Sequence, residues 1–121
     1  MALHTELPIY KKGCELVSLA FHVQKEMPRG FKNSLGEKIT VHCTEMVNLM
    51  ALANATRGQD RAAHIRDLLQ RQHATTVLLR VCHDSRFIST KLWSQSVQLL
   101  DNIGKQGGGW LKVSHVTAPA A

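Results

Sequence analysis

Three short interruptions constrain this chain more than anything else in it. Pro28-Arg29-Gly30, Thr56-Arg57-Gly58 and Asp84-Ser85-Arg86 divide the sequence into four stretches of about twenty residues, each with apolar residues recurring three and four apart. That period belongs to an amphipathic helix. Proline cannot continue a helix, and glycine takes positive φ at little cost, so the interruptions read as helix ends. No Val/Ile-rich alternating segment competes for strand. The pattern therefore predicts an all-α chain. With connections this short, consecutive helices run antiparallel, giving an up-down-up-down four-helix bundle.

Residues 1–8 read as an arm, 9–113 as the bundle and 114–121 as a frayed tail. The first helix spans Ile9 to Met27 and offers two apolar rows: Tyr10, Cys14, Val17, Phe21, and Leu16, Ala20, Val23, Met27. The second begins near Asn33 or Ser34, where Ser34 and Glu37 match a capping box, and its core stripe is Leu35, Ile39, Met46, Met50 and Ala53. Asp60 is the expected cap of a third helix from Arg61 to about His83, with Ile65, Leu68, Leu69, Leu78, Leu79 and Cys82 inward. Its middle, Arg71 to Thr76, is polar and β-branched. Ser89 is the expected cap of the fourth helix.

The fourth helix carries Gly104, Gly107, Gly108 and Gly109 before Trp110. An interior glycine weakens a helix by about 1 kcal/mol relative to alanine. Close approach of another backbone is the natural compensation. Gly104, Gly108 and Trp110 are therefore the candidate packing or subunit-seam residues.

One hundred and twenty-one residues suit one domain with one core, and 44% apolar residues can fill it. Fifteen Lys and Arg against nine Asp and Glu leave a net charge of +6. A small domain this basic points to a polyanion, with plain solubility as the simpler reading. Three cysteines in apolar helical settings argue against a disulfide framework, and the chain reads as cytoplasmic. The opening residues lack a basic segment followed by a long apolar run, so no signal peptide is expected. The most apolar window, Ile39 to Ala55, holds His42, Glu45 and Asn48, which excludes a membrane span.

Neither metal chemistry nor catalysis is expected. His42-Cys43 and Cys82-His83 are adjacent in sequence, and adjacent helical residues point about 100° apart. Glu-x-x-His pairs on facing helices are missing. Cys82-His83-Asp84 holds three catalytic residue types, but helix geometry splays them. Gly107-Gly108-Gly109 lacks the Lys-Ser/Thr of a phosphate loop. No cofactor is implied.

The basic residues carry the better signal. Arg66, His73 and Arg80 recur every seven residues on the third helix, and Lys105 and Lys112 do so on the fourth. Arg57 and Arg61 stand at the start of the third helix; Arg86 and Lys91 flank the following turn. Such rows can track phosphates. The competing reading is a solvated face, in which pairs such as Asp67 and Arg71 neutralise each other. Trp110 could stack on a base, but its spacing from Ile103 favours burial against the bundle or a neighbouring subunit.

Phe87-Ile88-Ser89-Thr90-Lys91, Leu99 through Lys105, and Gly108-Gly109-Trp110-Leu111-Lys112 together resemble the accessory variability determinant (Avd) family of diversity-generating retroelements. Leu7 through Lys12, Met27-Pro28-Arg29 and Ser34 through Lys38 agree with it. The resemblance covers about residues 7 to 114, and Ile103-Gly104 with Gly108-Gly109-Trp110 is its most specific part. It implies a bundle that assembles as a homopentameric, positively charged barrel. It implies partners: the retroelement's reverse transcriptase, its template RNA and DNA made from it. It implies support of mutagenic retrohoming without a catalytic site. Where the family has a Leu-rich middle in the third helix, this chain has Gln72 through Thr76; Gln106-Gly107 replaces a bulkier apolar pair. Bundles encoded in ribosomal RNA intervening sequences are related. The alternative is a structural interaction bundle of that type whose basic face meets an acidic protein. On the Avd reading, Arg57, Arg61, Arg66, Arg80, Arg86, Lys91, Lys105 and Lys112 form the polyanion surface.

Overall fold

The computed structural model describes residues 3–117, with side chains through Ser114. A short 3-10 turn, His4–Glu6, precedes α1 (Pro8–Glu26), α2 (Glu37–Ala55), α3 (Gly58–Asp84) and α4 (Thr90–Thr117). No strand occurs among the described residues. The opening arm is tied down, since the His4 ring meets Tyr10 edge-on at 4.9 Å between centroids. At the other end, α4 continues through Thr117. Residues 118–121 lie outside the described residues.

The helices form a ring in which α1 packs on α2 and α4, and α3 packs on α2 and α4. Contacts show that neighbours are antiparallel. A Cβ at Gly13 in α1 would meet Met50 in α2, whereas Gln24, further along α1, accepts a hydrogen bond from Thr40, earlier in α2. Likewise α3 meets α4 through Leu69 with Gly107 at one end and His83 with Thr90 at the other. The up-down-up-down order follows from four such seams.

The termini show why the chain turns where it does. Pro8 sits in the first turn of α1, where a missing N–H costs nothing. Met27 is extended at ψ 150°, as the residue before Pro28 should be, and α1 stops there. The expected Ser34–Glu37 capping box does not form. Residues 32–36 make one wide turn, closed by Gly36 N–H donating to Phe31 O at 3.0 Å, and it feeds directly into α2. Ser34 Oγ instead donates to Phe31 O at 3.4 Å. Asp60 is not a cap either, because α3 already begins at Gly58, with φ 60°. Ser89 does cap α4: its Oγ accepts from Leu92 N–H at 3.1 Å. Ser89's own N–H donates to Glu26 Oε1 of α1 at 2.6 Å, so the cap is completed by another helix.

The α3–α4 turn is a Schellman motif. Phe87 N–H donates to Cys82 O at 2.8 Å and Arg86 N–H to His83 O at 3.0 Å, with Arg86 at φ 62°. That left-handed position favours glycine, and a side chain there costs about 1 kcal/mol. Arg86→Gly is therefore expected to raise Tm by a few degrees in a thermal melt; a lower Tm would mean the arginine side chain stabilises the turn.

The core contains Leu16, Val23, Ile39, Met46, Met50, Ile65, Leu68, Leu79, Leu100 and Ile103, all nearly inaccessible. On α1 the structure buries one of the two apolar rows fully, while of the other Tyr10 and Val17 pack only partly against the core. Ile9, Gly13, Leu16, Ala20, Val23 and Met27 face inward, while Cys14 is exposed and Phe21 is 56% exposed. Small residues decide this. At Gly13 an added Cβ would stand 2.9 Å from Met50 Sδ, so this row is where α2 comes closest.

The polar middle of α3 is a regular helix. Thr75 is fully buried, and its hydroxyl donates to Arg71 O at 2.7 Å; Thr76 does the same to Gln72 O at 2.9 Å. Gln72 reaches across to α4, where its Nε2 donates to Leu100 O at 3.1 Å. The contact depends on Gly104, whose Cβ would lie 3.1 Å from Gln72 Nε2. A polar residue on one helix and a glycine on the next thus form a single contact. Among the described residues, every buried side-chain N or O has a partner.

Candidate nucleic-acid interface

Arg57, Arg66, His73 and Arg80 are all exposed along α3, and Lys91, Lys105 and Lys112 along α4. Lys91 shares the row of Lys105 and Lys112, since all three stand at multiples of seven residues. The sequence already held that signal through Gln98, the polar residue at the missing step. Leu69 opposite Gly107, and His83 opposite Thr90, set the register between these helices. Arg66 stands at the level of Lys105 and Lys112, and Arg80 at the level of Lys91. The result is two cationic rows on neighbouring helices. Arg80 Nε lies 3.7 Å from Asp84 Oδ2, both well exposed, an ion pair of little energetic weight. Arg86 is exposed at the turn.

Arg61 does not belong with them. Its Nε donates to Ala53 O at 2.8 Å and its Nη2 to Asn54 O at 3.3 Å, closing the last turn of α2. Its guanidinium also lies 5.9 Å from the centre of the Trp110 ring. This side chain joins the end of α2, the start of α3 and the end of α4. It is committed to the fold, and only its net charge remains for a polyanion. Trp110 is half-buried against the core and borders a recess of about 170 Å³ with Leu7, Pro8, Ile9 and Gln106. With a guanidinium on its ring, it is poorly placed to stack on a base.

The glycines of α4 divide into two kinds. Gly104 receives Gln72, and Gly107 is buried with its Cβ position 2.8 Å from Leu69 Cδ2. Gly107 thus packs within the chain. Gly108 and Gly109 have nothing within 4 Å of an added Cβ, so among the described residues neither packs against another part of the chain. Gly108→Ala combined with Gly109→Ala is expected to raise stability by about 2 kcal/mol through helix propensity. Denaturant melts check this. Loss of assembly in the same variant would place a second chain against these positions.

The expected pairing of Asp67 with Arg71 is not made. Arg71 Nη1 donates to His42 Nδ1 across the α2–α3 seam at 3.2 Å, which requires a neutral imidazole. Burial, then the charges of Arg71 and Lys38, hold the His42 pKa below its ordinary 6.5. The unfolded chain therefore binds this proton more readily. The stabilisation is present above about pH 6.5 and is lost as pH falls through that value towards the folded pKa. Tm should fall on acidification from pH 7.5 to 5.5, and His42→Asn, which keeps an acceptor near Nδ1, should reduce that fall. An unchanged pH dependence in His42→Asn would assign it to other groups.

Cys43 and Cys82 are fully buried, and burial pushes their thiols up to about 12 and about 11. They stay protonated at neutral pH and fill core space. Among the described residues, no three His, Cys, Asp or Glu side chains are grouped to hold a metal ion. No described helix is long and apolar enough to cross a membrane.

Helix order, antiparallel seams and cationic rows define a basic four-helix bundle protein. The family model described as bAvd-like matches residues 7–114, nearly the whole bundle. The chain belongs to that family, in agreement with the Avd resemblance of its last helix. No curated protein matches the chain. No solved structure matches it.

Proposed function

We propose that this chain is a non-catalytic accessory protein of a diversity-generating retroelement. It binds template RNA, or DNA copied from it, together with the retroelement's reverse transcriptase, and so supports mutagenic retrohoming. Its working form is a homopentameric barrel. The observation that carries this reading is the pair of exposed cationic rows on α3 and α4 in a member of the bAvd-like family. Arg57, Arg66, Arg80, Arg86, Lys91, Lys105 and Lys112 neutralise phosphates without reading bases. Sequence choice then rests with the transcriptase or with the shape of the RNA.

Filter binding against salt tests the reading. Phosphate contacts make log affinity fall linearly with log salt, with a slope of about −0.9 per contact on duplex and about −0.7 on single strands. A slope of several units with template RNA is expected. Absence of binding at low salt would remove nucleic acid and leave a protein-interaction bundle. Co-purification with a reverse transcriptase encoded beside paired template and variable repeats tests the enzyme partner.

A further inference from the structure

The α1–α2 turn and the α3–α4 turn lie at the same end of the bundle, and two phenylalanine rings join them. Phe31 stacks on Phe87 with 4.5 Å between ring centroids and 30° between planes. Phe87 is the anchored partner: it packs against the core, and its N–H closes the Schellman turn. Phe31 rests on it, yet is 43% exposed and takes no part in the core cluster. Its backbone is fixed all the same. Phe31 N–H donates to Pro28 O at 2.9 Å, and Phe31 O accepts from Gly36 N–H at 3.0 Å and Ser34 N–H at 3.3 Å. One side of the ring is therefore backed by a second ring, and the open side is held in place before any ligand arrives.

The other aromatics are engaged differently. Trp110 carries the Arg61 guanidinium, Trp93 stacks on His83 at 5.2 Å between centroids, and Tyr10 is met by His4. Phe21 is more exposed, but among the described residues no ring backs it. Charge also singles out the Phe31 end. The two turns, residues 27–36 and 85–89, hold Arg29, Lys32 and Arg86 and no carboxylate. With the adjoining helix ends, residues 25–38 and 80–91, there are seven lysines and arginines against Glu26, Glu37 and Asp84. Glu26 is taken up by Ser89 N–H, and Asp84 stands beside Arg80 and His83. The cationic rows of α3 and α4 reach this end at Arg80 and Lys91.

An open aromatic face in a cationic surround suits a chain of anions that also carries flat rings with free faces. A duplex supplies the anions but keeps its base faces covered. A single strand supplies both. We infer that Phe31, backed by Phe87, is a stacking platform for an unpaired base of single-stranded RNA or DNA, with Arg29, Lys32 and Arg86 against the neighbouring phosphates. Stacking accepts any base, so the platform adds affinity for single strands without selecting a sequence. It presupposes the nucleic-acid binding proposed above and gives that binding a preference for unpaired strands.

Fluorescence anisotropy with an oligo(U) strand of about 12 nucleotides and a duplex of about 12 base pairs tests it. Phe31→Leu keeps an apolar side chain on Phe87 and changes no charge, so its melting curve should stay close to wild type. It should weaken oligo(U) binding about 5- to 100-fold. The slope of log affinity against log salt and the affinity for duplex should not change, because no phosphate contact is lost. Phe31→Trp should restore oligo(U) binding, and the emission of the added indole should be quenched on binding. Wild-type oligo(U) affinity in Phe31→Leu would overturn the platform and leave phosphate binding by the α3 and α4 rows standing. Equal losses on strand and duplex would also overturn it, by tracing the effect to the shape of the turns. So would loss of reverse-transcriptase co-purification with oligo(U) binding intact, which would make the ring a protein anchor. A wild type that binds neither probe at low salt would remove the platform and the proposed function together.

Discussion

Arg61→Ala is expected to lower stability by about 3 kcal/mol, a fall of roughly 10 °C in Tm for a chain of this size. The guanidinium donates to two carbonyls at the end of α2, at 2.8 and 3.3 Å, and lies over Trp110. A hydrogen bond from a charged donor contributes about 1.5–3 kcal/mol, and a partly desolvated cation–π contact about 1 kcal/mol more. The total is held down because Thr56 also serves this helix end. Its hydroxyl reaches Leu52 O at 2.9 Å and Ala53 O at 3.3 Å, so Ala53 O, one of the two carbonyls that Arg61 serves, has a second donor. Arg61→Lys keeps the charge and loses the planar fork, so it should recover less than half of the loss. A double-mutant cycle with Trp110→Ala should give a coupling of about 1 kcal/mol. A Tm within 2 °C of wild type in Arg61→Ala would show that water and Thr56 replace the arginine fully.

Arg61 also shows where sequence reasoning reaches its limit. Its place at the start of α3, four residues from Arg57, is the signature of a basic cluster. Nothing in the chain order announces that the end of α2 folds back beneath it. The same non-local limit explains Glu26 completing the Ser89 cap, and Gln72 reaching Leu100 O. Local signals did better. Pro28 and Gly58 mark real helix ends, and Ser89 caps as its position suggests. The helix count, the antiparallel order and most of the core on α2 and α3 follow from spacing alone. On α1 the spacing is ambiguous, because two apolar rows compete. Hydrophobicity cannot choose between Phe21 and Ala20 as the inward residue; close packing can, since a small row admits a neighbouring helix. The polar middle of α3 looked like a weak helix because its threonines and glutamine were weighed alone. Paired with Gly104 and with the carbonyls one turn back, they satisfy every polar atom they bury. The cationic rows were legible for a simpler reason. Exposed lysines and arginines seven apart need only a regular helix to align.

Replacing Arg66, Arg80, Lys105 and Lys112 with glutamine in one chain is expected to lower RNA affinity roughly 10³-fold at 0.1 M salt. If each side chain neutralises one phosphate, the loss per contact is set by counterion release. A slope of about −0.7 to −0.9 per contact amounts to about five- to eightfold in affinity per contact at 0.1 M, relative to 1 M. Four contacts multiply to roughly 600- to 4,000-fold. The slope of log affinity against log salt should flatten by about three units, and the two curves should converge as salt approaches 1 M. Stability is not expected to follow, because all four side chains are exposed and none occupies the core. The contrast with Arg61 is diagnostic: one arginine on α3 should cost stability, while two others on the same helix should cost affinity. Glutamine retains hydrogen-bonding capacity, so the loss reports charge. Equal loss at every salt concentration would mean that these residues act through shape and packing. An unchanged slope would move the polyanion to the remaining cations, Lys11 and Lys25 on α1 among them.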